Sequence, residues 1–128
     1  MSWTNLFLVA LGGAIGSVAR WGTTVVFVDR FGADVPWPWP TFLVNIAGSF
    51  LIGIVAGAAA SGGISPSARL FLAVGIMGGF TTFSSFSLDL LMNLESGRFG
   101  IAAGYAAASI ALGLAATAAG LALTRVFR

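Results

Sequence analysis

Four apolar stretches separated by three short polar breaks make up this chain. A helix that spans a bilayer needs about 20 predominantly apolar residues. Runs of that length extend from about Trp3 to Val28, Thr41 to Ala60, Ala68 to Met92 and Ile101 to Val126. The pattern predicts a single four-helix transmembrane domain over residues 1–128, with turns too short to hold a soluble domain. The first break carries Pro36-Trp37-Pro38-Trp39-Pro40. Tryptophan favours the headgroup level and proline stops helices, so this cluster reads as an interfacial cap. Gly62-Gly63 and Ser65-Pro66 mark the second break, with Ser65 or Ser67 placed to cap the third helix. The first run lacks a basic leading region and a small-residue cleavage site, and it carries Arg20, so it reads as a retained span rather than a signal peptide.

The third run departs from a plain apolar helix. Gly75-Ile76-Met77-Gly78-Gly79-Phe80-Thr81-Thr82-Phe83-Ser84-Ser85-Phe86-Ser87 crowds glycines and hydroxyls into its middle. Glycine is a poor helix former, and irregular backbone at membrane depth is tolerated only where protein buries it or a watery path adjoins it. The third helix is therefore expected to break near its middle, and the break to mark an ion or substrate site. Carbonyls released by such a break can hold a cation, and the hydroxyls of Thr82, Ser84 and Ser85 can donate to an anion. Phe83 and Phe86 share a helix face, either as ordinary packing or with their partly positive ring edges turned into a path.

Composition narrows the function classes. The 128 residues are 58% hydrophobic and 8% charged, against about 25% charged for ordinary soluble domains. The mean hydropathy is +0.99, and the pI near 10.6 rests on a net charge of only +2, so nucleic acid is not an expected partner. The absence of cysteine and histidine removes disulfides, thiolate metal sites and the commonest proton shuttle. Neither a carboxylate pair nor a phosphate loop is present, so an enzyme is not expected. All six cations are arginines. Four spans put Arg69, Arg125 and Arg128 on one side and Arg20, Arg30 and Arg98 on the other, a balance that gives the positive-inside rule nothing to act on.

Polar residues inside the spans are few. Arg20, near the end of the first, either supplies positive potential to an anion path or snorkels to the headgroups. Asn45 needs partners across a helix interface or along a polar path. Tyr105 and Ser109 lie one turn apart on a face of the last span. Asp89 is the one acid that could be buried, and its position favours the membrane edge. Proton-coupled transport needs an intramembrane acid or histidine, so coupling is disfavoured. Glycines four apart (Gly12 and Gly16, Gly53 and Gly57, Gly75 and Gly79, Gly100 and Gly104) allow close helix approach. Four helices enclose little space, which favours a dimer with its site at the subunit interface.

Three motifs then carry a resemblance. They read Gly12-Gly13-x-x-Gly16-x-x-x-Arg20, Val44-Asn45-x-x-Gly48-Ser49-Phe50, and Gly75-x-x-Gly78-Gly79-x-Thr81-Thr82-Phe83-Ser84-Ser85-Phe86-Ser87. In this order on a four-span chain, they make it similar to the small bacterial fluoride channels, the CrcB or Fluc family, over nearly its whole length. The resemblance implies an all-α integral membrane protein of the inner cell membrane, an antiparallel dual-topology homodimer surrounded by lipid, with two passive fluoride pores. It implies that Phe83 and Phe86 line the pores, that Asn45 hydrogen-bonds the fluoride ion, and that Ser84 and Ser85 form a polar track continued by Tyr105 and Ser109. It implies a structural Na+ at the dimer interface, held by the backbone carbonyls of Gly78 and Thr81, and it assigns Arg20 to electrostatics at the pore entry. The family usually has tyrosine where Trp21 stands, glycine where Pro40 stands, threonine where Ser85 stands and a smaller aliphatic where Phe80 stands. None of these departures removes a hydrogen-bond donor. A small multidrug-type proton-coupled transporter shares the size and span count but needs a glutamate in its first helix, and this first helix has none. A non-transporting assembly subunit is the other alternative; it would need no hydroxyl track.

Overall fold

The computed structural model describes residues 1–127; Arg128, counted among the cations above, lies outside the described residues. Helix α1 (Trp3–Phe31) starts at Ser2, whose hydroxyl accepts the Asn5 N–H at 3.1 Å, and stops at Gly32, where φ turns to +82°. It runs past the expected end at Val28 because nothing before Gly32 interrupts its ladder; the Gly32 N–H itself still donates to the Val28 carbonyl. Helix α2 (Trp39–Ala60) takes Trp39 and Pro40 into its first turn, where a missing N–H is harmless.

The third span, Pro66–Glu95, is built of four pieces. Ser65 caps α3 (Pro66–Arg69) by accepting the Ala68 N–H at 3.1 Å. A wider π-helical winding follows over Leu70–Met77, and then α4 (Gly78–Phe80). Thr81 (ψ 156°) and Thr82 (φ −152°, ψ 121°) are extended, and α5 (Phe83–Glu95) begins with Thr82 as its cap. Helix α6 (Phe99–Val126) completes the chain. Among the described residues, four stretches are thus long and apolar enough to cross a membrane: Trp3–Phe31, Trp39–Ala60, Pro66–Glu95 and Phe99–Val126.

Packing joins these stretches in two pairs. Helix α1 lies against the π-helical winding and α4, while α2 lies along α6. Past Thr82 the third span changes partner, since α5 packs on α6. Glycine makes both seams. A Cβ at Gly12 would stand 2.6 Å from the Phe71 carbonyl oxygen and 2.8 Å from the Gly75 Cα, and neither backbone atom can swing aside. On the other seam Gly53 meets the Thr117 carbonyl, and Gly120 returns the contact on the Phe50 carbonyl. Close backbone approach of this kind is how helices associate in lipid, where hydrophobic burial supplies no drive. Gly12→Val is therefore expected to destabilise the fold by about 1–3 kcal/mol through overpacking. Thermal unfolding in detergent checks this; an unshifted midpoint would mean that the α1 seam is loose.

Buried apolar side chains are few (Phe42, Val44, Met77, Ala102 and Tyr105), and large apolar residues such as Phe7, Val18 and Leu114 face outward. That is the inverse of a water-soluble distribution and suits a chain solvated by lipid.

Candidate functional site

Thr82 is the centre of the local structure. Its own N–H donates to Asn45 Oδ1 at 2.8 Å, and its carbonyl accepts from Asn45 Nδ2 at 3.0 Å. The side chain of Asn45, 37 residues away on α2, thus takes the place of a main-chain partner for a residue that has left the helix. The Thr82 hydroxyl accepts the Ser85 N–H at 3.1 Å, donates to Ser85 Oγ at 3.2 Å and lies 3.2 Å from Ser84 Oγ. Thr82 is largely buried, and these bonds satisfy its polar groups.

The bonds around Thr82 have a counterpart at two carbonyls. In a continuous α-helix the Thr82 N–H would donate to the Gly78 carbonyl, and the Ser85 N–H to the Thr81 carbonyl. Here the first goes to Asn45 and the second to the Thr82 hydroxyl. Gly78 and Thr81 each lose the donor a helix would supply. The Thr81 hydroxyl turns back along its helix to the Met77 carbonyl, at 2.8 Å.

An open cleft of about 460 Å³ adjoins this arrangement, and Asn45, Gly78, Thr81, Phe83, Phe86 and Ser109 all line it. The Phe83 ring is 79% exposed and lies 5.7 Å, centroid to centroid, from the half-buried Phe86 ring. Asn45 keeps a second amide hydrogen, since only one is used on Thr82. Ser109 Oγ is buried without any hydrogen-bond partner. Among the described residues that line it, none is charged. A surface of neutral donors and ring edges suits a small anion that must be held and released.

The remaining sequence candidates fall elsewhere. Ser84 and Ser85 gather on the Thr82 hydroxyl and do not line the cleft. Phe80 is outside it too, with its ring beside Gly48. Arg20 is half-buried on α1 and lines neither this cleft nor a second one. That second cleft, of about 420 Å³, lies between the loop after α1 and the end of α5, with Trp37, Thr41, Asp89, Asn93 and Arg98 in its wall. Tyr105 stands between the two. Its buried ring is 5.1 Å from Phe86, and its hydroxyl donates to Asp89 Oδ2 at 3.1 Å. Asp89 lies midway along α5 and is tied to a residue read from sequence only as part of a polar track. Arg98 Nε donates to Asn93 Oδ1 at 2.8 Å, and Asn93 Nδ2 to the Asp89 carbonyl at 3.0 Å, which closes the C-terminal end of α5.

Thr82, one of the three hydroxyls read from sequence as anion donors, lines the first cleft as well, and so does Ser49, which the sequence offered only as part of a motif. For Thr82 a signal existed: it precedes Phe83 as a helix cap, and a capping hydroxyl after a glycine pair marks where a chain re-enters helix.

The comparisons with known proteins cover nearly the whole chain. The family described as CrcB-like protein, Camphor Resistance (CrcB), matches residues 7–121. A fluoride-specific ion channel FluC of Nitrobacter winogradskyi is 45% identical over 127 residues, which cover 98% of this chain and 99% of the relative. The fluoride-specific ion channel FluC of Methylobacillus flagellatus is 51% identical over 111 residues, 86% of each chain. That of Thermus thermophilus is 50% identical over 107 residues, 84% of each chain.

Proposed function

The chain belongs to the CrcB-like family, and from that membership we propose that it is a passive, fluoride-selective channel of the cell membrane, working as an antiparallel homodimer with two pores. It is a multi-pass membrane protein and a transport protein rather than an enzyme. One observation carries the reading: a single uncharged cleft gathers the Phe83 and Phe86 rings, the unshared amide hydrogen of Asn45 and the unpartnered Ser109 hydroxyl. Fluoride is small and strongly hydrated, so a pore must replace its water with short donors. Neutral donors are strong enough to admit the ion and weak enough to let it leave, as conduction requires. A narrow passage walled by the two rings would exclude the larger chloride.

The dimer is supported by the cleft itself, which is open in one protomer, so that a second copy is needed to close a pore over Asn45, Phe83 and Phe86. An even split of arginines supports insertion in both orientations. The interruption at Thr81 and Thr82 is read as the mid-membrane break of the third span. The carbonyls of Gly78 and Thr81, deprived of helical donors, fit a structural sodium ion at the dimer interface. Bound there, it would supply the positive charge that offsets two carbonyl ends. Arg20 is assigned to the electrostatics of pore entry, and Ser84 and Ser85 to a polar track that Tyr105 and Ser109 continue.

Fluoride efflux from liposomes holding the purified protein, read with an ion-selective electrode beside a chloride control, tests the function. Fast fluoride release without chloride release, unmoved by a proton gradient at clamped voltage, is expected. No fluoride release from demonstrably folded dimers would overturn the channel reading. The chain has no cysteine, so single introduced cysteines report orientation cleanly. Antiparallel crosslinks are expected, and capture of parallel pairs alone would refute that arrangement.

A further inference from the structure

Hydroxyls within helices at apolar depth usually return to their own backbone. Thr23, Ser87, Thr117 and Thr124 do so, donating to the carbonyls of Ala19, Phe83, Gly113 and Leu121. Ser49 does not, and neither does Ser109, and both line the same cleft. Ser49 lies one turn beyond Asn45 on α2, and Gly113 one turn beyond Ser109 on α6. These two helices make the most extensive packing of the fold. The Ser49 hydroxyl oxygen is 3.5 Å from the point where a Cβ on Gly113 would stand. So α2 contributes an amide and then a hydroxyl along the seam, while α6 contributes a hydroxyl and then open space.

We propose that Ser49 is a further anion-contacting residue, whose hydroxyl extends the donor set of Asn45 and Ser109 by one helical turn along the α2–α6 seam. The proposal rests on the fluoride-channel reading and deepens it. An ion leaving the Asn45 and Ser109 donors would meet no other side-chain donor of the first cleft beside Gly113, and the Ser49 hydroxyl is free to rotate toward it because no protein group holds it. The role is hydroxyl chemistry, not packing: replacing Ser49 removes no hydrogen bond from the fold.

The test is fluoride efflux from liposomes, with chloride alongside, for Ser49→Ala, Ser49→Cys, the double variant Ser49→Ala with Gly113→Ser, and the parent. Ser87→Ala serves as a control, since that hydroxyl is exposed and bonded to the Phe83 carbonyl. Loss of one donor to an ion is expected to slow fluoride by about tenfold in Ser49→Ala, with Ser49→Cys between it and the parent and Ser87→Ala unchanged. The double variant places a hydroxyl on α6 in the same space and is expected to recover most of the rate. Parent-like flux in folded Ser49→Ala, or no recovery in a folded double variant, would overturn the proposal. Should Ser49→Ala not fold, the Ser49→Cys rate decides, and full flux there overturns it. A folded parent that passes no fluoride sinks the channel reading itself, a different outcome from any of these.

Discussion

Asn45→Ala is expected to abolish fluoride flux and to lower the stability of the fold by about 2–6 kcal/mol, since it strands two buried main-chain groups at about 1–3 kcal/mol each. Both Thr82 bonds to α2 go at once. The chain has one way to recover part of that loss. The Thr82 N–H can turn to the Gly78 carbonyl and continue the helix, which would take away the donor-free carbonyls on which the sodium assignment stands. Stability and function then separate, with the folded fraction partly kept and conduction gone. Asn45→Asp keeps the acceptor for the Thr82 N–H but sets a carboxylate oxygen against the Thr82 carbonyl, so an intermediate loss is expected. Thermal unfolding in detergent and liposome efflux check both variants. A parent-like midpoint and rate for Asn45→Ala would show that the clamp holds nothing.

The ring pair gives the second large effect. Phe83→Ile and Phe86→Ile are each expected to cut fluoride flux by at least about tenfold, the size of one favourable aromatic interaction withdrawn from the path. Their structural consequences should differ. Phe83 is 79% exposed, so its replacement leaves the protomer's packing alone. Phe86 sits between Phe83 and Tyr105, at 5.7 Å and 5.1 Å. Its loss should therefore also loosen the Tyr105 ring and its bond to Asp89. Dimers that remain intact by size-exclusion chromatography while flux falls would support the assignment; normal flux in both variants, with dimers confirmed, would sink it.

What the chain disclosed at the level of sequence was local. Hydropathy placed the spans, because twenty apolar residues in a row have few other uses. The glycine and hydroxyl run placed the irregular backbone, because such residues weaken a helix wherever it sits. Helix ends differed by a few residues where capping decided them: α1 continued to Phe31 and α5 to Glu95. The partners were not legible. The residue type of Asn45 left open interhelical glue or a path residue, and which it meets depends on how α2 lies beside residue 82. Nothing in periodicity ties Tyr105 to Asp89, since the bond joins two helices. Ser84 and Ser85 stood in the motif as donors, yet their hydroxyls gather on Thr82, a choice made by the cap geometry of α5. The π-helical winding over Leu70–Met77 left no mark in residue type at all.

The pairing of α1 with the first half of the third span, and of α2 with α6, sets an order of events during synthesis. The glycine face of α2 finds its main partner only in α6, which emerges from the ribosome after the other three spans described. Translation at about 5–20 residues per second leaves that face waiting for seconds inside the bilayer, with Asn45 holding at most the newly made Thr82. A nascent chain stopped before Phe99 would be an inserted but unfinished protein, and the quality-control proteases of the membrane would meet it in that form.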